Sequence, residues 1–261
     1  MQDISALGRI MEVVRDLRLR CSWDRVQTRA TLRPYLVEEV LELDHALGQG
    51  DAAAIRDETG DLLLHLAWQL VLAEELGEFT PDEIAGLVEG KMQRRHPHLF
   101  GLGPAEPWER VKRKERRSGA LDGLPPGLPA LLAAYRLQER AASVGFDWPD
   151  AAGPLAKVRE ETDEVAAELA GGRTEALPDE IGDLLFAVVN LARKAGIEPG
   201  SALERANRKF VDRFRQVERL AAERGLAMES AGLEALDRLW DEVKRDPRAV
   251  SPSPASGPGS R

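Results

Sequence analysis

Five carboxylates occur twice in this chain at the same spacing. The first set is Glu38, Glu39, Glu42, Glu58 and Asp61, and the second set, 122 positions later, is Glu160, Glu161, Glu164, Glu180 and Asp183. Residues 36–64 and 158–186 align without a gap. An internal repeat of this length indicates one structural module written twice.

The spacing EExxE followed by ExxD predicts a cation site in each copy. On a helix, the first three carboxylates share one face, and the last two lie one turn apart. Such carboxylates repel one another unless a cation lies between them. Oxygen donors suit Mg²⁺, with Mn²⁺ as the alternative, whereas zinc and copper prefer His or Cys. A solvated acidic helix face is the competing interpretation, and the repetition of the pattern disfavours it.

Helical periodicity runs through almost the whole chain. Leu36, Val40, Leu43 and Leu47 form an apolar stripe on the first acidic helix. The next helix, over about 51–76, is apolar nearly all round, yet one side of it carries Glu58, Asp61, His65 and Gln69. We therefore predict an all-α fold of two tandem helical bundle domains.

Glycine and proline mark the boundary between the copies. Residues 119–129 read GALDGLPPGLP and cannot continue a helix. The prediction is an N-terminal helical domain over 1–118, a linker over 119–129 and a C-terminal helical domain over 130–245. Residues 246–261 are rich in Pro, Ser and Gly, and we expect this tail to be disordered.

The composition excludes several classes of protein. Lys and Arg number 36 against 45 Asp and Glu, a net charge of −9, which disfavours general nucleic-acid binding. Cys21 is the only cysteine, so the chain has no internal disulfide, and we expect a cytoplasmic protein. The most apolar stretch, 62–73, is too short to span a bilayer, so no membrane association is expected.

Several motifs together resemble the MazG family of all-α nucleoside triphosphate pyrophosphohydrolases. Besides EExxE and ExxD, the resemblance rests on CSWDRVQT (21–28), LRPYLVEE (32–39), KMQRRHPHLF (91–100), VGFDW (144–148), EIGDLLFAVVNLAR (180–193) and NRKFVDRF (207–214). It implies the MazG-type fold, a homodimer and hydrolysis of NTPs and dNTPs to the monophosphate and pyrophosphate. It also implies Mg²⁺ bound by the EExxE and ExxD side chains.

Cations must complete such a site, because two Mg²⁺ ions offset only about half of the charge of a triphosphate and four carboxylates. In the second copy, the predicted metal ligands are Glu161, Glu164, Glu180 and Asp183. Glu160 is the predicted general base for water and also lies in the predicted nucleotide site. The side chains expected to bind and stabilise the nucleotide are Lys157, Lys209, Arg213, Trp240 and Lys244, with Glu160, Glu161, Lys209 and Arg213 as the catalytic set.

The first copy keeps the spacing of most of these residues. Its possible second site comprises Glu38, Glu39, Glu42, Glu58, Asp61, Lys91, Arg95, Trp108 and Lys112. Tyr35 stands where the second copy has Lys157. We therefore expect the second copy to be the principal catalytic site, and the first to be a second site or a regulatory nucleotide binder.

Three functions stay open at this point. The first is a broad NTP pyrophosphohydrolase that controls or cleans the nucleotide pool. The second is a narrower relative that acts on dUTP, dCTP or phosphoribosyl-ATP. The third is a non-catalytic sensor that binds Mg²⁺ and nucleotide to regulate a partner.

Overall fold

The structure is a computed structural model, and it describes residues 5–106, 111 and 119–245. These residues form helices and no β-strand. The chain divides into two compact units, Met1–Lys112 and Arg113–Arg261. The predicted all-α class is confirmed. The predicted tail over 246–261, Trp108 and Lys112 lie outside the described residues.

Unit 1 is built around one long hairpin of helices. Its elements are α1 (Ala6–Arg20), α2 (Ser22–Arg25), α3 (Arg29–Gln49), α4 (Ala52–Leu76) and α5 (Pro81–Arg95), followed by a 3₁₀ turn at Pro97–Leu99. The α4 helix packs against both α1 and α3. The core holds Met11, Val14, Leu32, Ala67, Trp68, Val71 and Leu72. Burial of these side chains fixes α4, and with it the ExxD motif, beside α3.

The hairpin turn depends on a glycine and an aspartate. Gly50 ends α3 with φ at +73°, a left-handed conformation that L-residues with side chains adopt only with strain. Asp51 then caps α4 by accepting a hydrogen bond of 2.9 Å from the Ala53 amide. The chain thus reverses within two residues, which sets the EExxE helix directly against the ExxD helix.

Unit 2 repeats this hairpin. It contains α6 (Ala130–Ala142), α7 (Ala152–Gly171), α8 (Leu177–Lys194), α9 (Pro199–Glu223), α10 (Met228–Ala231) and α11 (Leu233–Arg245). Gly172 ends α7 with φ at +66° and is the repeat counterpart of Gly50. The α7 and α8 helices pack along their length. A second core, formed by Val217, Ala221, Leu239 and Val243, joins α9 to α11.

Part of the predicted linker is fixed to unit 2. The buried Arg140 guanidinium, on α6, donates to the carbonyl oxygens of Leu121 at 3.0 Å, Asp122 at 2.7 Å and Gly123 at 3.2 Å. Three charge-assisted hydrogen bonds hold this turn against α6. The other predicted domain limits stay predictions.

Across the described residues, no helix combines the length and the apolar character needed to cross a membrane.

Candidate metal centres

Each helix hairpin gathers three carboxylates at one point. In unit 1 they belong to Glu39, Glu42 and Glu58, and in unit 2 to Glu161, Glu164 and Glu180. Within each group, one oxygen per residue lies within 4.8 Å of the others. Opposite ligands of a Mg²⁺ ion lie about 4.2 Å apart. Three carboxylates at this spacing therefore fit a hard divalent cation.

The two groups occupy equivalent positions in the repeat. EExxE supplies two members of each group, from α3 or α7, and ExxD supplies the third, from α4 or α8. Three of the four predicted ligands of unit 2 thus come together. The fourth, Asp183, is exposed and follows Glu180 by one turn, outside the group.

In unit 1, the carboxylates raise one another's pKa. The pKa of Glu39 is raised by burial and then by the charges of Asp61, Glu42 and Glu58. The pKa of Glu58 is raised by desolvation and by the charges of Glu42 and Asp61. Mutual repulsion of this kind is relieved by a cation, which stabilises the ionised carboxylates.

In unit 2, a lysine beside the carboxylates changes their pKa values. The Lys157 ammonium nitrogen lies 2.5 Å from Glu161 Oε1 and 3.0 Å from Glu160 Oε1. Its hydrogen bond holds the pKa of the buried Glu161 below its ordinary value. The pKa of Glu164 is raised, first by its hydrogen bond with Glu161. The pKa of Lys157 is raised by the same two glutamates. Lys157 therefore keeps its charge beside the carboxylates.

The other predicted nucleotide-binding residues of unit 2 lie on α9 and α11. Lys209 is exposed, and Arg213 is half-buried with a buried Nε that has no hydrogen-bond partner. Trp240 packs against Phe210 with ring centroids 5.3 Å apart, and Lys244 pairs with Asp241 at 2.9 Å. Within residues 119–245, no hydrogen bond or ion pair joins these four predicted side chains to the carboxylate group.

Two predicted cations of unit 1 lie on a different helix from its carboxylates. Lys91 and Arg95 lie near the end of α5, and both are half-buried. Tyr35, on α3, approaches Trp23 edge-on with centroids 6.2 Å apart. The aromatic ring of Tyr35 thus takes the place in the repeat that Lys157 has in unit 2.

His65 is a feature to which the sequence interpretation gave no role. Its ring is buried on α4, with Nε2 3.9 Å from Glu39 Oε1 and with no hydrogen-bond partner for Nδ1. Burial lowers the pKa of His65, which favours the neutral ring. In the sequence, the available signal for a role of His65 was its place on the same side of α4 as Glu58 and Asp61.

An apolar cavity in unit 2 was also missed. It has a volume of about 520 Å³, and its walls include Leu137, Phe146, Trp148, Phe186 and Asn190. Gln138 lines it too, donating a 2.8 Å hydrogen bond to the Phe186 carbonyl while its own buried Oε1 accepts none. The walls come from α6, α8, the loop between α6 and α7 and Leu121 ahead of α6, so the periodicity of the sequence gave no sign of the cavity.

Comparison with known proteins identifies the family. The MazG nucleotide pyrophosphohydrolase domain matches residues 27–100 and 153–218, the two segments that carry the carboxylate groups. The chain belongs to this family. It is 42% identical to the nucleoside triphosphate pyrophosphohydrolase of Escherichia coli K12 over 94% of the chain and 98% of that protein. It is 40% identical to the nucleoside triphosphate pyrophosphohydrolase/pyrophosphatase MazG of Thermotoga maritima over 86% of the chain and 89% of that protein.

Proposed function

We propose that this member of the MazG nucleotide pyrophosphohydrolase family hydrolyses NTPs and dNTPs at the α–β phosphate bond. The products are the nucleoside monophosphate and pyrophosphate, which suits a role in nucleotide-pool control. The observation that carries the proposal is the carboxylate group on each helix hairpin, inside the two segments that match the family.

The metal ligands of the principal site are Glu161, Glu164, Glu180 and Asp183. Their all-oxygen donor set suits Mg²⁺, with Mn²⁺ as the alternative. When bound, the metal offsets phosphate charge and polarises the phosphoryl group. The geometry of the group supports this assignment, because one oxygen from each of Glu161, Glu164 and Glu180 lies within 4.8 Å of the others.

Glu160 serves as the general base that accepts a proton from the attacking water. Its side chain is 55% exposed, so water can reach it, and the Lys157 ammonium lies 3.0 Å from its Oε1. Lys157, Lys209, Arg213 and Lys244 offset the charge on the phosphates as it moves toward the leaving pyrophosphate.

The nucleobase has two candidate locations. Trp240 offers an aromatic face, although Phe210 already covers part of it. The cavity walled by Phe186 and Trp148 is apolar. We favour the cavity because its volume of about 520 Å³ and its aromatic walls offer stacking surfaces for a base.

Unit 2 is the principal catalytic unit, and unit 1 is a second site or a regulatory nucleotide binder. The support is the contrast between Lys157 and Tyr35, because only unit 2 places a cation against its carboxylates at this position of the repeat.

The working form is a homodimer. Apolar side chains lie exposed on the paired helices of both units, among them Val37 and Leu41 on α3 and Leu185 on α8. Exposed apolar surface of this kind is typical of protein interfaces. Sedimentation equilibrium of the full chain tests the proposal, and a single species with the mass of one chain would contradict it.

Product analysis decides between the candidate functions. The full chain is incubated with each NTP and dNTP plus Mg²⁺, and the products are separated. Monophosphate with pyrophosphate supports the proposal, whereas diphosphate with orthophosphate contradicts it. Turnover confined to dUTP, dCTP or phosphoribosyl-ATP would identify a narrower enzyme. Nucleotide binding without product would identify a regulator.

A further inference from the structure

One wall of the apolar cavity in unit 2 carries a small polar network. Arg193, on α8, has a side chain that is only 11% exposed and forms an ion pair with Asp147. Its guanidinium also donates two hydrogen bonds to Oδ1 of Asn190, from Nε at 3.1 Å and from Nη2 at 2.8 Å. All three residues line the cavity. The network therefore sets the polar character of an otherwise apolar pocket.

The two hydrogen bonds from Arg193 fix the orientation of the Asn190 amide. A guanidinium carries only donors, so the atom that faces it must be the amide oxygen. The amide NH₂ group cannot exchange places with this oxygen without losing both bonds. Across the part of unit 2 that the structure describes, no hydrogen bond uses Nδ2 of Asn190, and this atom is not sealed from solvent. Asn190 therefore offers the cavity a donor of fixed orientation.

Other polar side chains of the cavity are already engaged. Asp147 accepts hydrogen bonds from Arg193 and from Lys194. Gln138 donates its NH₂ group to the Phe186 carbonyl at 2.8 Å, and its Oε1 is sealed from solvent. A molecule that enters the cavity consequently finds its open hydrogen-bond donor at Asn190.

Asn190 lies on the same helix as two of the proposed metal ligands. It follows Asp183 by seven residues, which returns it to nearly the same face of α8 about 10 Å further along. A nucleotide with its phosphates at the carboxylates can extend its base along α8 to the cavity, where Phe186 and Trp148 offer stacking surfaces. This placement of the nucleotide rests on the proposed function.

We propose that Asn190 is a specificity-determining residue, which selects nucleotides whose base carries an exocyclic carbonyl oxygen, a 6-oxopurine or a 4-oxopyrimidine. The amide NH₂ group donates to that oxygen. Adenine and cytosine carry an amino group at the equivalent position, so two donors would face each other. Arg193 holds the amide against turning to accept, and the mismatch therefore counts against these bases.

Pairs of substrates that differ chiefly at this position test the proposal. The full chain is assayed for pyrophosphate release with ITP against ATP and with UTP against CTP. We expect the wild-type kcat/KM to favour ITP and UTP by roughly three- to tenfold, the effect of one hydrogen bond. Asn190→Ala removes the donor and should bring both ratios near unity. Asn190→Asp still accepts the bonds from Arg193 but has no donor, so it should invert both ratios.

Asn207→Asp is the matched control, since Asn207 is an exposed asparagine on α9, and it is expected to keep the wild-type ratios. Equilibrium dialysis of IMP and AMP against the same four proteins measures the preference without turnover, and the wild-type chain should bind IMP more tightly.

The two proposals fail in different ways. Wild-type ratios near unity, or ratios that Asn190→Asp leaves unchanged, would overturn the role of Asn190 while pyrophosphate release continues. Release from none of the four nucleotides would overturn the proposed function instead, and the dialysis of IMP and AMP would still decide the role of Asn190.

Discussion

The Lys157 ammonium lies 2.5 Å from Oε1 of Glu161, the most deeply buried carboxylate of the unit 2 group. The two residues are one turn apart on α7, so the helix itself imposes the contact. A nucleotide phosphate that approaches the proposed metal ligands would therefore meet a cation already in place. Unit 1 has a tyrosine at the equivalent position.

Removing the Lys157 charge should impair catalysis. We expect Lys157→Met to lower kcat/KM for ATP by on the order of tenfold or more, because a cation that stabilises phosphate charge is lost. Steady-state release of pyrophosphate measures the effect. Arg159→Met is the control, since Arg159 is an exposed cation two residues away on α7. Equal loss in both variants would show that local charge alone is responsible.

Neutralising Glu161 should remove most Mg²⁺-dependent turnover. We expect Glu161→Gln to lower kcat by on the order of 100-fold or more, because a buried carboxylate that we propose as a metal ligand is lost without change of shape. Asp163→Asn, an exposed acid on the same helix, should be near neutral.

Glu39→Gln, the equivalent change in unit 1, compares the two units. We expect a smaller loss of kcat than in Glu161→Gln, since unit 1 lacks the counterpart of Lys157. The same pyrophosphate assay measures it. A larger loss in Glu39→Gln would make unit 1 the principal site.

Acid should lower the free energy of unfolding of unit 2, because it protonates Asp147. Hydrogen bonds from Arg193, and then from Lys194, hold the pKa of Asp147 below its ordinary value of 3.8. Since the folded-state pKa is lowered, the stabilisation is present above about pH 4 and is lost as pH falls through the folded-state value. Urea unfolding followed by tryptophan fluorescence measures the effect, with Asp147→Asn as the comparison. The free-energy difference between the two proteins should be about 1–3 kcal/mol at pH 7 and should shrink below pH 4. A difference that is constant with pH would contradict the ion pair.

The hairpin glycine should tolerate a side chain poorly. We expect Gly50→Ala to lower the free energy of unfolding by about 1–2 kcal/mol, because φ is +73° and an L-residue is strained there. Gly86→Ala is the matched control. Gly86 lies inside α5 with open space around the added Cβ, so alanine should stabilise the helix by about 0.5–1 kcal/mol. Opposite signs in urea titrations confirm the reasoning, and a destabilisation shared by both variants would contradict it.

Much of the fold follows from the sequence. Helical periodicity and the 122-residue offset can be read directly from the residues of the chain. They were enough to predict two helical modules and a meeting of EExxE with ExxD, because a short turn leaves two amphipathic helices few other ways to pack. The sequence also predicted the metal preferred by the acids, since donor chemistry depends on residue type alone.

Only the tertiary structure decided which side chains share an environment. Burial and neighbouring charge depend on how helices pack, so no linear pattern shows them. Examples are the buried Nδ1 of His65 without a hydrogen-bond partner, the cavity beside Phe186, and the opposite pKa shifts of Glu161 and Glu164. Asp183 illustrates the same limit. Its spacing matches that of Asp61, and both aspartates are exposed and lie outside the carboxylate group of their unit, which only the packing of the helices decides.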